Sequence, residues 1–272
     1  MLHKKEFFSV RTSAVQAFNN TFDVYASGHK PDQIFYILTK KFLNHINSFA
    51  VILNGTNFND ISDNTDQVDH ASAKVLLRAA FESYLTMSHI FFNDSKLTDY
   101  RILLYQYSGL KERIEKLPRE DLDPTILEKI SKEEETFKQL KDSIFKQGAE
   151  LNINKKYIKK ALSEGWRAGN GWITIGERSS LPKKYVETVY PYLCGYSHSG
   201  YESYMQLICD EMLSLEELEC KQSSLYFWAT FLLAYFCQSY VSFTTNFKSD
   251  VELEGLTDVG NFLLKYKNIY PN

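Results

Sequence analysis

Two side chains in one apolar run have the types and spacing to do chemistry. Arg78 and Glu82 stand four residues apart within 73–92, a stretch with helical periodicity that is apolar on nearly every side. Burying a charge is costly unless it is paired and hydrogen-bonded, so another part of the fold must meet these groups. An Arg followed by a Glu four residues later is the less favourable order for a helical ion pair, which makes intrahelical pairing a poor sole explanation. The expected counterpart is Ser197-His198-Ser199, preceded by Tyr190, Tyr192 and Tyr196 and followed one turn later by Glu202. A guanidinium offers a planar fork to phosphate or carboxylate. An imidazole exchanges a proton near neutral pH, and a carboxylate can orient it. Arg78, Glu82 and His198 are therefore the candidate catalytic residues, with Tyr190, Ser197 and Trp172 as candidate substrate-binding residues. The set suits metal-independent phosphodiester cleavage, with RNA as substrate, or the binding of a small anion. The competing reading is a polar network that satisfies itself and fixes helix register.

Other chemistries find less footing. There is no H-E-x-x-H and no repeated E-x-x-H, so no metal site is expected, and no cofactor. G-x-S-x-G is missing. The glycines of 165–171 have neither the spacing nor the preceding strand of a dinucleotide fingerprint. Cys194, Cys209, Cys220 and Cys237 form no C-x-x-C pair and read as reduced, partly buried thiols of a cytoplasmic protein.

The elements that must position these residues read as helices throughout. The expected fold class is all-α, a single multi-helix bundle over 1–272, with few turn signals: 12 Gly and six Pro in 272 residues. Pro31 opens a helix running to about residue 54. Asp63 or Thr65 is expected to cap the helix that carries Arg78 and Glu82 to Phe92. A charged helix at about 120–150, rich in salt-bridge spacings, should lie at the periphery. The Trp and Gly residues of about 165–180 suggest an ordered loop. Pro182 precedes a helix ending near His198, and helices of about 201–213 and 215–247 follow. Residues 222–247 carry no charge, but Thr, Gln, Ser and Asn interrupt them, so a soluble central helix is expected rather than a membrane span. No adequate apolar stretch follows the basic residues of the N-terminus, so no signal peptide is expected. The formal charge of −3 gives no general pull toward nucleic acid or acidic lipid.

The same residues resemble the pattern of a group of bacterial helical proteins, the DUF5677-like family of unknown function. That pattern has Arg-x-x-x-Glu in an apolar helix, then a Trp-containing loop, then Tyr-x-x-x-Ser-x-x-x-His. Arg78 and Glu82 match the first part, Trp172 the loop, and Tyr190 and His198 the last, with Cys194 standing where Ser is usual. The resemblance implies one site shared by Arg78, Glu82 and His198, and no particular activity. A looser likeness is to helical bundles of the HEPN type, which cleave RNA or bind nucleotides in toxin and antiphage systems. Their signature, Arg followed by His after four to six residues, is not found here. Two leading readings result. One is a metal-independent ribonuclease of defence or toxin systems. The other is a non-catalytic interaction or sensor module, a homodimer or a docking site for another protein, with a structural Arg/Glu/His network. Small-ligand binding beside Trp166 and Trp172 is a third.

Overall fold

The computed structural model describes residues 2–26, 30–63, 67–116, 123–198, 200–247 and 256–270. It is all-α: eleven α-helices and no β-strand occur among the described residues. The helices fall into two compact units, the first formed by 1–93 and 172–272, the second by 94–171.

In the first unit, α1 (Leu2–Ala26), α2 (Lys30–Leu53), α3 (His70–Met87) and α10 (Leu215–Phe247) carry most of the core. Phe35, Phe42 and Phe49 recur every seven residues on α2 and are all buried, the spacing that keeps one helical face inward. Phe42 meets Phe236 of α10 with ring centroids 4.4 Å apart. The Tyr84 hydroxyl of α3 shares hydrogen bonds with Ser180 Oγ at 2.7 Å and Ser239 Oγ at 3.3 Å. The uncharged stretch of α10 is central, as its composition implies, with Leu225, Tyr226 and Ala229 to Ala234 all buried. No helix among the described residues is long and apolar enough to cross a membrane.

The helix bearing Arg78 is capped by Asp69, whose carboxylate accepts from Ser72 N at 2.8 Å. This corrects the expected cap at Asp63 or Thr65; Thr65 lies outside the described residues. The helix also stops earlier than expected, giving way to a π-helical turn at Ser88–Phe92. Beyond it in the chain, α7 (Trp172–Glu177), α8 (Lys183–Ser197), α9 (Tyr201–Glu211) and α11 (Thr257–Tyr266) complete the unit. The expected ordered loop at 165–180 therefore contains a helix. What is irregular is the turn before it, where Gly165 (φ 91°) and Gly169 (φ 75°) take left-handed backbone that side chains disfavour.

The second unit packs α4 (Thr98–Lys116), α5 (Pro124–Glu150) and α6 (Lys155–Glu164) around Tyr100, Leu104, Tyr107, Leu140, Ile144 and Ile158. The charged helix is α5. Asp123 caps it by accepting from Thr125 N at 2.8 Å, and Pro124 occupies its first turn. Lys132 pairs with Glu128 one turn away at 2.7 Å, as the spacing implied.

Candidate functional site

Helix α3 places His70, Lys74, Arg78 and Glu82 at intervals of four, on one slowly drifting stripe. This stripe meets α8, whose Tyr185, Val186, Val189, Tyr190 and Leu193 are buried. Phe81 stacks on Tyr185 at 5.6 Å and tilts against Tyr190 at 5.5 Å, which fixes the register of the two helices. Pro191 sits inside α8. It denies the Glu187 carbonyl its usual donor, at a place where both residues are exposed and water can replace it.

Two polar clusters lie along this seam. In the first, Arg78 Nη2 reaches Glu82 Oε1 at 2.9 Å, and the Tyr190 hydroxyl donates to the same oxygen at 2.8 Å. The pair is half-buried, not sealed: the side chains keep 19% and 26% of their surface. Burial works against the Arg78 charge, but Tyr190 and Glu82 outweigh it and raise its proton affinity. The Tyr190 hydroxyl is pushed up, first by burial and then by the carboxylate it serves. Cys194, one turn further along α8, lies against Tyr190. The cluster is electrically neutral and internally paired, apart from Arg78 Nε, which has no partner among the described residues.

His198 is not part of it. The residue is the C-cap of α8 and is exposed. It stands eight residues beyond Tyr190, a rise of about 12 Å along the helix, and makes no hydrogen bond or ion pair among the described residues. The buried Arg78–Glu82–His198 site expected from sequence is thus corrected to Arg78–Glu82–Tyr190. Ser197 ends α8 half-buried, with its hydroxyl unpaired among the described residues; Ser199 lies outside them. Trp172 opens α7 and is half-buried.

The second cluster carries no motif in the sequence. Lys74 is fully buried (0% exposed), with no hydrogen-bond acceptor for Nζ among the described residues. Its amine lies over the Tyr196 ring, 3.7 Å from the centroid, and 5.2 Å from that of Tyr192. Beside it Lys221 of α10 pairs with Asp210 of α9. Burial above all, and then the Lys221 ammonium, lower the Lys74 proton affinity to about 7, against the pull of Asp210. His70 is buried, and neither ring nitrogen has a partner among the described residues. Burial and the Lys74 charge bring its value down to about 4. Among the described residues no group of three or more His, Cys, Asp and Glu side chains could hold a metal ion.

Outside this seam, α9 exposes an apolar face. Tyr201, Tyr204, Met205, Ile208, Met212 and Leu215 all rank as exposed, Met212 at 81% and Leu215 at 83%. At about 100° per residue, those from Tyr201 to Met212 form one stripe of α9 and its end. Two thiols are exposed, Cys209 on α9 and Cys220 on α10, where partial burial was expected; Cys237 is buried.

Comparison with curated proteins and with solved structures returned no match. Comparison with protein families returned one, described as a family of unknown function (DUF5677), over residues 41–212. That match spans α3, α8 and α9, and so takes in the residues on which the resemblance rested. With well over half of its length matched, the chain belongs to the DUF5677 family of unknown function.

Proposed function

We propose that the protein is a non-catalytic interaction module that docks a basic, amphipathic protein segment on the outer face of α9. The observation that carries this reading is the run of exposed apolar residues there, four of them at Tyr201, Met205, Ile208 and Met212. Soluble chains seldom leave such a ridge open unless something covers it. Its surroundings select the partner. Glu202, Glu211, Glu216 and Glu219 are exposed, and no Lys or Arg occurs between residues 200 and 220. A second copy meeting this face would set acid against acid, so a homodimer through α9 draws less support than a basic partner. The same acidity disfavours an anionic membrane surface. In this reading Arg78, Glu82 and Tyr190 lock α3 to α8 and hold the platform beneath the docking face.

The test uses a labelled synthetic helix of Leu and Lys, with a Leu and Glu peptide as control. The basic peptide should bind saturably, more weakly as salt rises, and at least about ten-fold more weakly to Met212→Glu or Ile208→Glu, a loss of about 1.4 kcal/mol. Equal binding by these variants, or by the acidic peptide, would overturn the reading. So would a stable dimer of the free chain in light scattering that Met212→Glu dissociates.

RNA cleavage in defence or toxin systems, with Arg78, Glu82 and His198 as catalysts, draws less support. Its proton shuttle, His198, is exposed at the end of α8 and makes no hydrogen bond or ion pair with Arg78 or Glu82 among the described residues.

A further inference from the structure

The His70–Lys74 cluster serves neither the Arg78 network nor the outer face of α9. It brings together four elements: α3 with His70 and Lys74, α8 with Tyr192 and Tyr196, α9 with Asp210, and α10 with Lys221. Around Lys74 two amines stand against one carboxylate, Asp210, which Lys221 engages, while Asp69 acts on His70. A protonated Lys74 is then one negative charge short in a place where water cannot supply it, since the side chain is fully buried. His70 adds an unpaired ring N–H, and both residues lie near the N-terminus of the 18-residue α3, where the backbone dipole favours negative charge. The Tyr192 and Tyr196 rings wall the site.

We propose that this cluster is a binding site for a small oxyanion, a carboxylate or a phosphate, with Lys74 Nζ and His70 as its donors. The anion completes the charge balance and is held between α3 and the tyrosine rings of α8. The cover over the site that moves at least cost is α9, where Ser203 is the one buried residue. Binding is linked to protonation. Lys74 loses its proton near 7 in the absence of a ligand, so above that value each anion must bring a proton with it, and affinity falls as pH rises. The other groups facing Lys74 and His70 are Asp69 at the start of α3, Asp210 and Lys221. His70, held neutral, is not the titrating partner in this range.

Thermal unfolding of the full chain tests the site, with sodium acetate and sodium phosphate compared against sodium chloride at equal ionic strength. At an anion concentration of ten times Kd, Tm should rise by about 2–4 °C over chloride near pH 6. The acetate gain, whose ligand charge is constant over this range, should shrink near pH 9. A gain with acetate alone assigns a carboxylate ligand; a gain with phosphate alone assigns a phosphoryl group. Lys74→Met keeps the side-chain length and should abolish the gain. Lys221→Gln should abolish it too, by releasing Asp210 to pair with Lys74, and it keeps the test decisive should Lys74→Met fail to fold. No gain over chloride, or an equal gain in either folded variant, overturns the site.

Discussion

Arg78 and Lys74 stand one turn apart on the same stripe of α3, yet one closes its circuit and the other does not. Arg78 has Glu82 within reach on its own helix and a tyrosine hydroxyl on the same carboxylate oxygen. Lys74 has its nearest carboxylate, Asp210, already engaged by Lys221, and it rests on aromatic faces instead. Burial is the first cause at Lys74, which keeps no exposed surface where Arg78 keeps 19%; the difference teaches that an uncommitted partner charge nearby is what offsets that cost. A paired cluster holds helices in register, whereas an unpaired one is a place where a proton or a ligand can change the balance.

The sharpest way to break this comparison is Glu82→Ala, which removes the acceptor shared by Arg78 and Tyr190. We expect a loss of about 2–3 kcal/mol in urea unfolding. Full burial of Arg78 would have implied about 3–5 kcal/mol, but both side chains keep part of their hydration. A loss below about 0.5 kcal/mol, the range of an ordinary surface substitution, would remove the network from the account of stability. The opposite sign is expected for Lys74→Met. Replacing an unpaired buried amine by a thioether should stabilise by about 1–2 kcal/mol at neutral pH. The pH dependence follows from the lowered proton affinity of Lys74, about 7 in the fold against 10.5 when free. Between those values the unfolded chain binds the extra proton, so the unsubstituted protein gains stability as pH rises and loses it as pH falls toward 7. The advantage of Lys74→Met should therefore be full below about 7 and fade toward 10.5. Parallel curves for the two proteins would contradict this.

Tyr190→Phe should cost about 1 kcal/mol, one hydrogen bond to a carboxylate that keeps its arginine. His198→Ala should change stability by less than about 0.5 kcal/mol, since the side chain is exposed at a helix end. A loss above about 1 kcal/mol, near that of Tyr190→Phe, would draw His198 back into the network.

The helices were legible because their signals are local. Asp123-Pro124 starts α5, Asn154 caps α6 and the uncharged 222–247 run marks the buried helix α10. Arg78, Glu82 and Tyr190 were legible as a group because charges in an apolar helix demand a partner. The rest depended on geometry that the sequence does not carry. His198 was grouped with Arg78, yet α8 ends at Ser197 and leaves it in water. Lys74 does not stand out in the sequence, because a lysine near a helix start ordinarily extends its stem and reaches solvent. The signal that could have found it was the interval of four linking His70, Lys74, Arg78 and Glu82. The division into two units was equally hidden, since the turn of 165–171 reads as a loop within one domain.

Helix α9 looks both ways: Asp210 points toward the amines of the interior, while Met212 and its neighbours face outward. A partner that gripped the helix from outside and favoured one position of it would shift the carboxylate inside as well, and thermodynamics would make that influence mutual. A protein segment that prefers α9 in one position must change how tightly a small anion is held beneath it, by the same factor with which the anion changes the hold of that segment.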